Sequence, residues 1–148
     1  MPNTAAQYGI TNLYQPEQSV KAGVKYIQWL ERNFWRERIK DKKERKRFVL
    51  ASYNAGPGHV RDAQRLTKKY DGSPNKWANV SEYLLKKSNP KYYNDEVCKY
   101  GYCRGAEPYK YVKQIMTRYR HYKQFLERTE QGDQVKAAKD QQASISTQ

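Results

Sequence analysis

Two short stretches hold the side chains best suited to chemistry. The first is ASYNAGPGHVRDA, residues 51–63. Tyr53 and Asn54 close an apolar run and stand directly before Gly56-Pro57-Gly58. Gly56 is placed to adopt a backbone conformation that closes a helix, and Gly58 lets another group approach the backbone closely. On the residues alone, helix punctuation is the leading reading of the Tyr-Asn pair, and one wall of a site is the alternative. The second stretch is RGAEPYKYV, residues 104–112. Glu107 and Tyr111 are four residues apart and share a helix face. Glu107 falls in the first turn, where the helix dipole stabilises a carboxylate. A packed tyrosine behind an N-terminal glutamate is the simpler reading of that pair.

Three other groups invite a role. Residues 36–47 hold eight basic and three acidic side chains, a dock for a polyanion or a solvated helix face. The interspersed Glu37, Asp41 and Glu44 favour the solvated face. Cys98 and Cys103 flank a tyrosine-rich segment, as two unrelated thiols or a local disulfide. Two cysteines with distant His59 and His121 do not make a structural zinc site, so no metal is expected. Nothing in the chain calls for a cofactor.

The elements that must position these residues read as helices. Pro16 and Glu17 open a helix whose apolar positions are Val20, Val24, Ile27, Leu30 and Phe34, spaced as one face. A second helix carries Phe48 to Asn54 and stops at Gly56. A third runs from His59 to about Tyr70, with Val60, Ala63, Leu66 and Thr67 inward. Trp77, Val80, Leu84 and Leu85 mark a short helix, and residues 91–105 read as a loop. The last helix starts near Ala106, with Val112, Ile115, Tyr119, Tyr122 and Leu126 as its buried stripe. After Arg128 the chain turns polar and predicts frayed helix or disorder. The expected organisation is therefore all-α, with one domain over residues 1–128 and a polar tail over 129–148.

Composition bounds the partners. The 148 residues carry a net charge of +14, and 14 of them are tyrosine. Mean hydropathy is −1.16, with aromatics at 14%. Such a charge favours anionic partners, whether nucleic acid, an acidic membrane surface or an acidic polymer. No apolar run is long enough to span a bilayer, and no export signal is visible at the start.

The two motif stretches, in this order, resemble the lytic transglycosylases with a lysozyme-like fold. ASYNAGPGHVRDA is similar to their A-Y-N-x-G motif. YGYCRGAEPYKYVKQI is similar to their E-T-x-x-Y-V motif, with Glu107, Tyr111 and Val112 in register and Pro108 in the usual place of Thr. The opening, beginning Met1-Pro2-Asn3-Thr4-Ala5, is similar to the stretch after their G-L-M-Q motif. The resemblance covers roughly residues 1–125. It implies a goose-type, SLT-like helical domain, N-terminally truncated.

That family cleaves the β-1,4 bond between N-acetylmuramic acid and N-acetylglucosamine in peptidoglycan and leaves a 1,6-anhydro end. One protonated glutamic acid serves as acid and then as base. The resemblance implies that Asn54 grips an N-acetyl group or hydroxyl, that Tyr53 walls the cleft, and that Tyr111 bonds the catalytic acid. It also implies that Glu107 steadies this network and that the tyrosines of residues 92–102 stack on sugars. The family's acid precedes G-L-M-Q, and neither motif occurs in these residues, so no catalytic residue is expected in this chain and little activity from it alone. The implied partner is peptidoglycan rather than nucleic acid, in the periplasm of a bacterial envelope, with a parent protein associated with the outer membrane. The envelope setting favours the Cys98–Cys103 disulfide over two free thiols. The alternative functions are a noncatalytic glycan-binding module and, further off, a basic helical domain that binds nucleic acid.

Overall fold

The computed structural model describes residues 16–146. The stretch similar to the family's post-G-L-M-Q segment lies outside them. Among the described residues six α-helices follow one another: α1 (Pro16–Trp29), α2 (Lys42–Ala55), α3 (Pro57–Lys69), α4 (Trp77–Lys86), the single turn α5 (Pro90–Tyr93) and α6 (Ala106–Ile145). A π-helical segment, Leu30–Trp35, follows α1 directly. No strand occurs among the described residues. The all-α expectation is met.

The first helix turns a different face inward from the one its valines mark. Val20 and Val24 are exposed, at 64% and 48%, while Ala22 and Gly23 are buried. Small residues let α1 approach α2 closely, which valines there would prevent. The π segment then resets the register. Its wider turn carries i→i+5 hydrogen bonds, so side chains five apart share a face. Leu30 and Trp35 are both fully buried, while Phe34 is only half-buried.

Trp35 anchors the core. Its indole N–H donates to Ser52 Oγ at 2.9 Å, and its ring lies 5.1 Å from Phe48. Phe48 meets Trp77 edge-on at 5.6 Å, which joins α2 to α4. Val60, Ala63, Leu66, Val80 and Leu84 complete the interior. Each large apolar side chain so buried contributes roughly 1.5–3 kcal/mol before the entropy of ordering is subtracted.

Two acids of the basic run serve the helix ends, while Glu37 pairs with Lys40 in water. Asp41 caps α2 and accepts from the amides of Lys43 and Glu44 at 2.8 and 3.1 Å. Glu44 accepts the Trp77 amide at 2.7 Å and so caps α4 from α2. Arg45 is buried, donating to Glu31 at 2.7 Å and to the Ile39 carbonyl at 2.8 Å. This segment is structural along its inner side, and its remaining lysines and arginines face water.

The chain divides into two compact units at Val112. The second begins at Lys113 and holds the remainder of α6, to Ile145. Of the stripe expected along α6, only Val112 is buried, while Tyr119, Tyr122 and Leu126 are exposed at 47%, 66% and 44%. The expected frayed tail is instead continuous helix to Ile145. Its alanines, lysines, glutamines and glutamates are good helix formers, so it holds its shape without a buried face.

Candidate functional site

The Tyr-Asn pair occupies the last turn of α2, and the chain redirects there on one residue. Gly56 ends α2 and begins α3 with φ 93° and ψ 143°, a conformation side chains rarely adopt. Its amide donates to the Ser52 carbonyl at 2.8 Å. Pro57 then supplies the fixed φ of a first helical position. The turn holds Asn54 exposed. Among the described residues, no hydrogen bond engages the Asn54 side-chain amide.

Tyr53 is half-buried and faces two other tyrosines. Its ring is stacked on Tyr111 from the start of α6, at 6.4 Å and 23°, and tilted against Tyr26 of α1 at 6.0 Å. Burial, with Tyr53 as neighbour, pushes the Tyr111 hydroxyl above the usual tyrosine range. A β-carbon on Gly23 would sit 2.9 Å from the Tyr53 hydroxyl. Bare helix backbone on α1 is therefore the seat of Tyr53, and no sequence signal had marked Gly23.

Tyr111 is brought to that seat by another close approach. A β-carbon on Gly105 would fall 1.8 Å from the Leu84 carbonyl oxygen. Only glycine lets the start of α6 lie against the end of α4. Glu107, one turn before Tyr111, is exposed and pairs with Arg104 at 3.6 Å. The structure thus brings Tyr53 and Tyr111 together and leaves Glu107 at the water-facing rim.

On α3 and just after α4 lies a buried charge cluster that sequence reasoning missed. Asp62 and Lys87 have fully buried side chains in contact at 2.7 Å. Asp62 also accepts from the Lys99 and Tyr100 amides at 2.8 and 2.9 Å and from Arg65. Burial alone would raise the Asp62 carboxyl, but Lys87, the two amides and Arg65 hold it below the ordinary range. In sequence, Lys87 looks like any lysine of a basic surface. The loop fixed by this cluster lays the ring of Tyr100 on Gly58, where a β-carbon would be 2.7 Å from the ring. The close approach expected at Gly58 is therefore made by Tyr100.

In this structure Cys98 and Cys103, the possible disulfide pair, are unbonded. Cys98 Sγ donates to the Tyr92 carbonyl at 3.2 Å. Cys103 is buried, with its amide donating to the Lys87 carbonyl at 3.2 Å. Each sulfur has its own site, and burial pushes both thiols up. The segment expected as loop over residues 91–105 begins as the turn α5, whose Tyr92 packs against Tyr70 and Tyr83.

A helical frame carrying Tyr-Asn before a glycine turn, with a second tyrosine delivered from a later helix, defines a class. Residues 1–77 match the transglycosylase SLT domain, and the chain belongs to that family, with its lysozyme-like all-α fold. Curated relatives named membrane-bound lytic murein transglycosylase F share extensive identity with it. The protein of Desulfosudis oleivorans is 42% identical over 121 residues, covering 82% of this chain and 26% of its own length. That of Haemophilus influenzae strain PittGG is 44% identical over 113 residues, covering 76% and 23%. That of Pseudomonas fluorescens is 37% identical over 136 residues, covering 90% and 26%. The chain thus spans about a quarter of the length of these relatives. Among its described residues, no helix is long and apolar enough to cross a membrane.

Proposed function

We propose that this chain supplies the glycan-binding wall of a peptidoglycan lytic transglycosylase, and that alone it binds glycan without cleaving it. The observation that carries the proposal is the Tyr53–Tyr111 stack beside an exposed, unengaged Asn54 amide. An amide with two donors and an acceptor can hold an N-acetyl group at both ends. The stacked rings offer a flat apolar wall with hydroxyls on it. In the family's scheme, the Tyr111 hydroxyl restrains the single glutamic acid that protonates the leaving oxygen. That acid must be kept neutral by apolar burial. Glu107 cannot take its place, because it is exposed, paired with Arg104 and set at a helix N-terminus. The Glu-Ser and Gly-Leu-Met-Gln motifs that carry the acid do not occur in the 148 residues.

The charge of +14 supports attraction to peptidoglycan, whose stem peptides bear carboxylates. The bacterial envelope, on the periplasmic side, is the setting this substrate implies. Titration of the isotope-labelled chain with chitotetraose, a β-1,4 N-acetylglucosamine tetramer, tests the reading. Resonances of Tyr53, Asn54 and Tyr111 should move together, and incubation with purified sacculi should release no anhydro-ended products. Perturbations confined to other residues, or release of such products, would overturn it.

A further inference from the structure

The loop over residues 97–103 is tied to Asp95 and Tyr92 at its start, and beyond that it is held by a group of residues around the buried Asp62–Lys87 pair. Arg65 donates through Nε to the Val97 carbonyl at 2.8 Å. Asp62 takes the amides of Lys99 and Tyr100. Lys87 accepts the Cys103 amide on its own carbonyl. Four backbone points along the loop thus end on Arg65, Asp62 and Lys87. The last link is His59, whose Nδ1 lies 2.9 Å from Lys87 Nζ.

Lysine nitrogen can only donate here, so His59 Nδ1 must accept, and the ring proton sits on Nε2. A proton added to Nδ1 would set donor against donor and cation against cation at that distance. We propose that His59, Lys87 and Asp62 form an acid-sensitive latch that fixes the residue 97–103 loop, and Tyr100 with it, over the turn carrying Asn54.

The groups facing His59 come from three elements. Lys87 follows α4, Asp62 lies on the same helix α3, and the Tyr100 ring meets the imidazole edge-on at 6.1 Å from the loop. The Cys98 and Cys103 thiols lie in the same electrostatic neighbourhood, close enough to feel Asp62 and Lys87. Burial first, and Lys87 second, push His59 below the usual histidine range, against the opposing pull of Asp62. The sign follows. The latch is intact above the ordinary histidine value and is lost as pH falls through the lowered folded value. Acidification then frees Lys87 from His59 and loosens the Asp62 end that holds Lys99 and Tyr100. The consequence for glycan rests on the reading of the Tyr53–Asn54 wall, since Tyr100 lies over Gly58 of the same turn. The latch itself does not depend on it.

The experiment uses the 148-residue chain without glycan. Protection factors of the Lys99 and Tyr100 amides are measured by hydrogen exchange at about pH 7.5 and at a pH below the His59 midpoint, read from its imidazole carbon shift. We expect a fall of at least about tenfold in the native chain and little change in His59→Gln, whose amide accepts from Lys87 at either pH. Equal protection at both pH values in the native chain, or the same fall in the variant, would overturn the latch. If the variant does not fold, the native His59 imidazole carbon shift serves instead. Its titration midpoint must coincide with the loss of protection, and a midpoint apart from it would overturn the proposal. Because no sugar is present, failure here is separate from failure of the glycan reading.

Discussion

Gly105 gives the sharpest perturbation of how the site is assembled. A β-carbon there would stand 1.8 Å from the Leu84 carbonyl oxygen, 2.4 Å from its carbon and 2.8 Å from the Leu85 nitrogen. A carbon and a carbonyl oxygen settle at roughly 3.3 Å or more, so about 1.5 Å must open between two backbones. Neither side has a rotamer to turn. Overpacking of a well-filled interior costs about 1–3 kcal/mol, and an obstacle made of backbone belongs at or above the top of that range. Gly105→Ala is therefore expected to destabilise the chain by about 3 kcal/mol or more. In a unit of this size that is a fall in Tm of roughly 12 °C or more. Gly101→Ala is the control. Gly101 has φ 67° and no atom within 4 Å of a β-carbon, so its cost is backbone strain alone, about 1–2 kcal/mol. Thermal and urea melts of both variants make the comparison. The resonances of Tyr111 should also move in Gly105→Ala, because α6 begins at that contact. A Gly105→Ala chain that melts with the native one, or above Gly101→Ala, would refute the reasoning.

Two further outcomes follow from the same contacts. In Gly23→Ala the new methyl meets the Tyr53 hydroxyl at 2.9 Å. A gain of about 1 kcal/mol in helix propensity offsets an overpacking cost of similar size. The melt should barely change while Tyr53 resonances shift and chitotetraose binding weakens, and an unmoved Tyr53 would count against its seat on α1. Asp62→Asn leaves Lys87 buried without its carboxylate, at a cost of about 3–5 kcal/mol in urea unfolding. Asp62 lies below the ordinary carboxylate range, so its contribution is present above that range and lost as pH falls through the folded value. The native chain should show that acid step below about pH 4 and the variant should lack it, whereas identical acid profiles would contradict the assignment.

Periodicity made the helices legible where the core is apolar, and failed where backbone or charge decides. Val60, Ala63, Leu66 and Thr67 marked the inner face of α3, and all four are buried. The valines of α1 misled because Ala22 and Gly23, not bulk, make that contact. Leu30 and Trp35 share the interior through a π turn, a register that a 3.6-residue period does not contain. The aromatic spacing along α6 matched a buried stripe, yet Tyr122 and Leu126 face water. At the candidate site, Tyr53, Asn54, Glu107 and Tyr111 could be named as candidates because their motifs are local, and the fold brings Tyr53 and Tyr111 together. Their supports could not, because Gly23, Gly105 and Lys87 act through contacts between distant elements. Two cysteines five residues apart invited a disulfide, but the hydrogen bond of Cys98 and the burial of Cys103 give each thiol a separate place.

The Asn54 side-chain amide is the most direct reporter of the central claim that this turn is a glycan-binding wall. Its two proton resonances are followed while chitotetraose is added to the labelled chain, with Asn54→Ala in parallel. Saturable shifts of that amide together with Tyr53 and Tyr111 are predicted, with binding weakened about tenfold or more in the variant, the loss of roughly one well-made polar contact. An amide that stays unmoved while the sugar binds elsewhere, or an Asn54→Ala chain that binds as the native one does, would contradict the account.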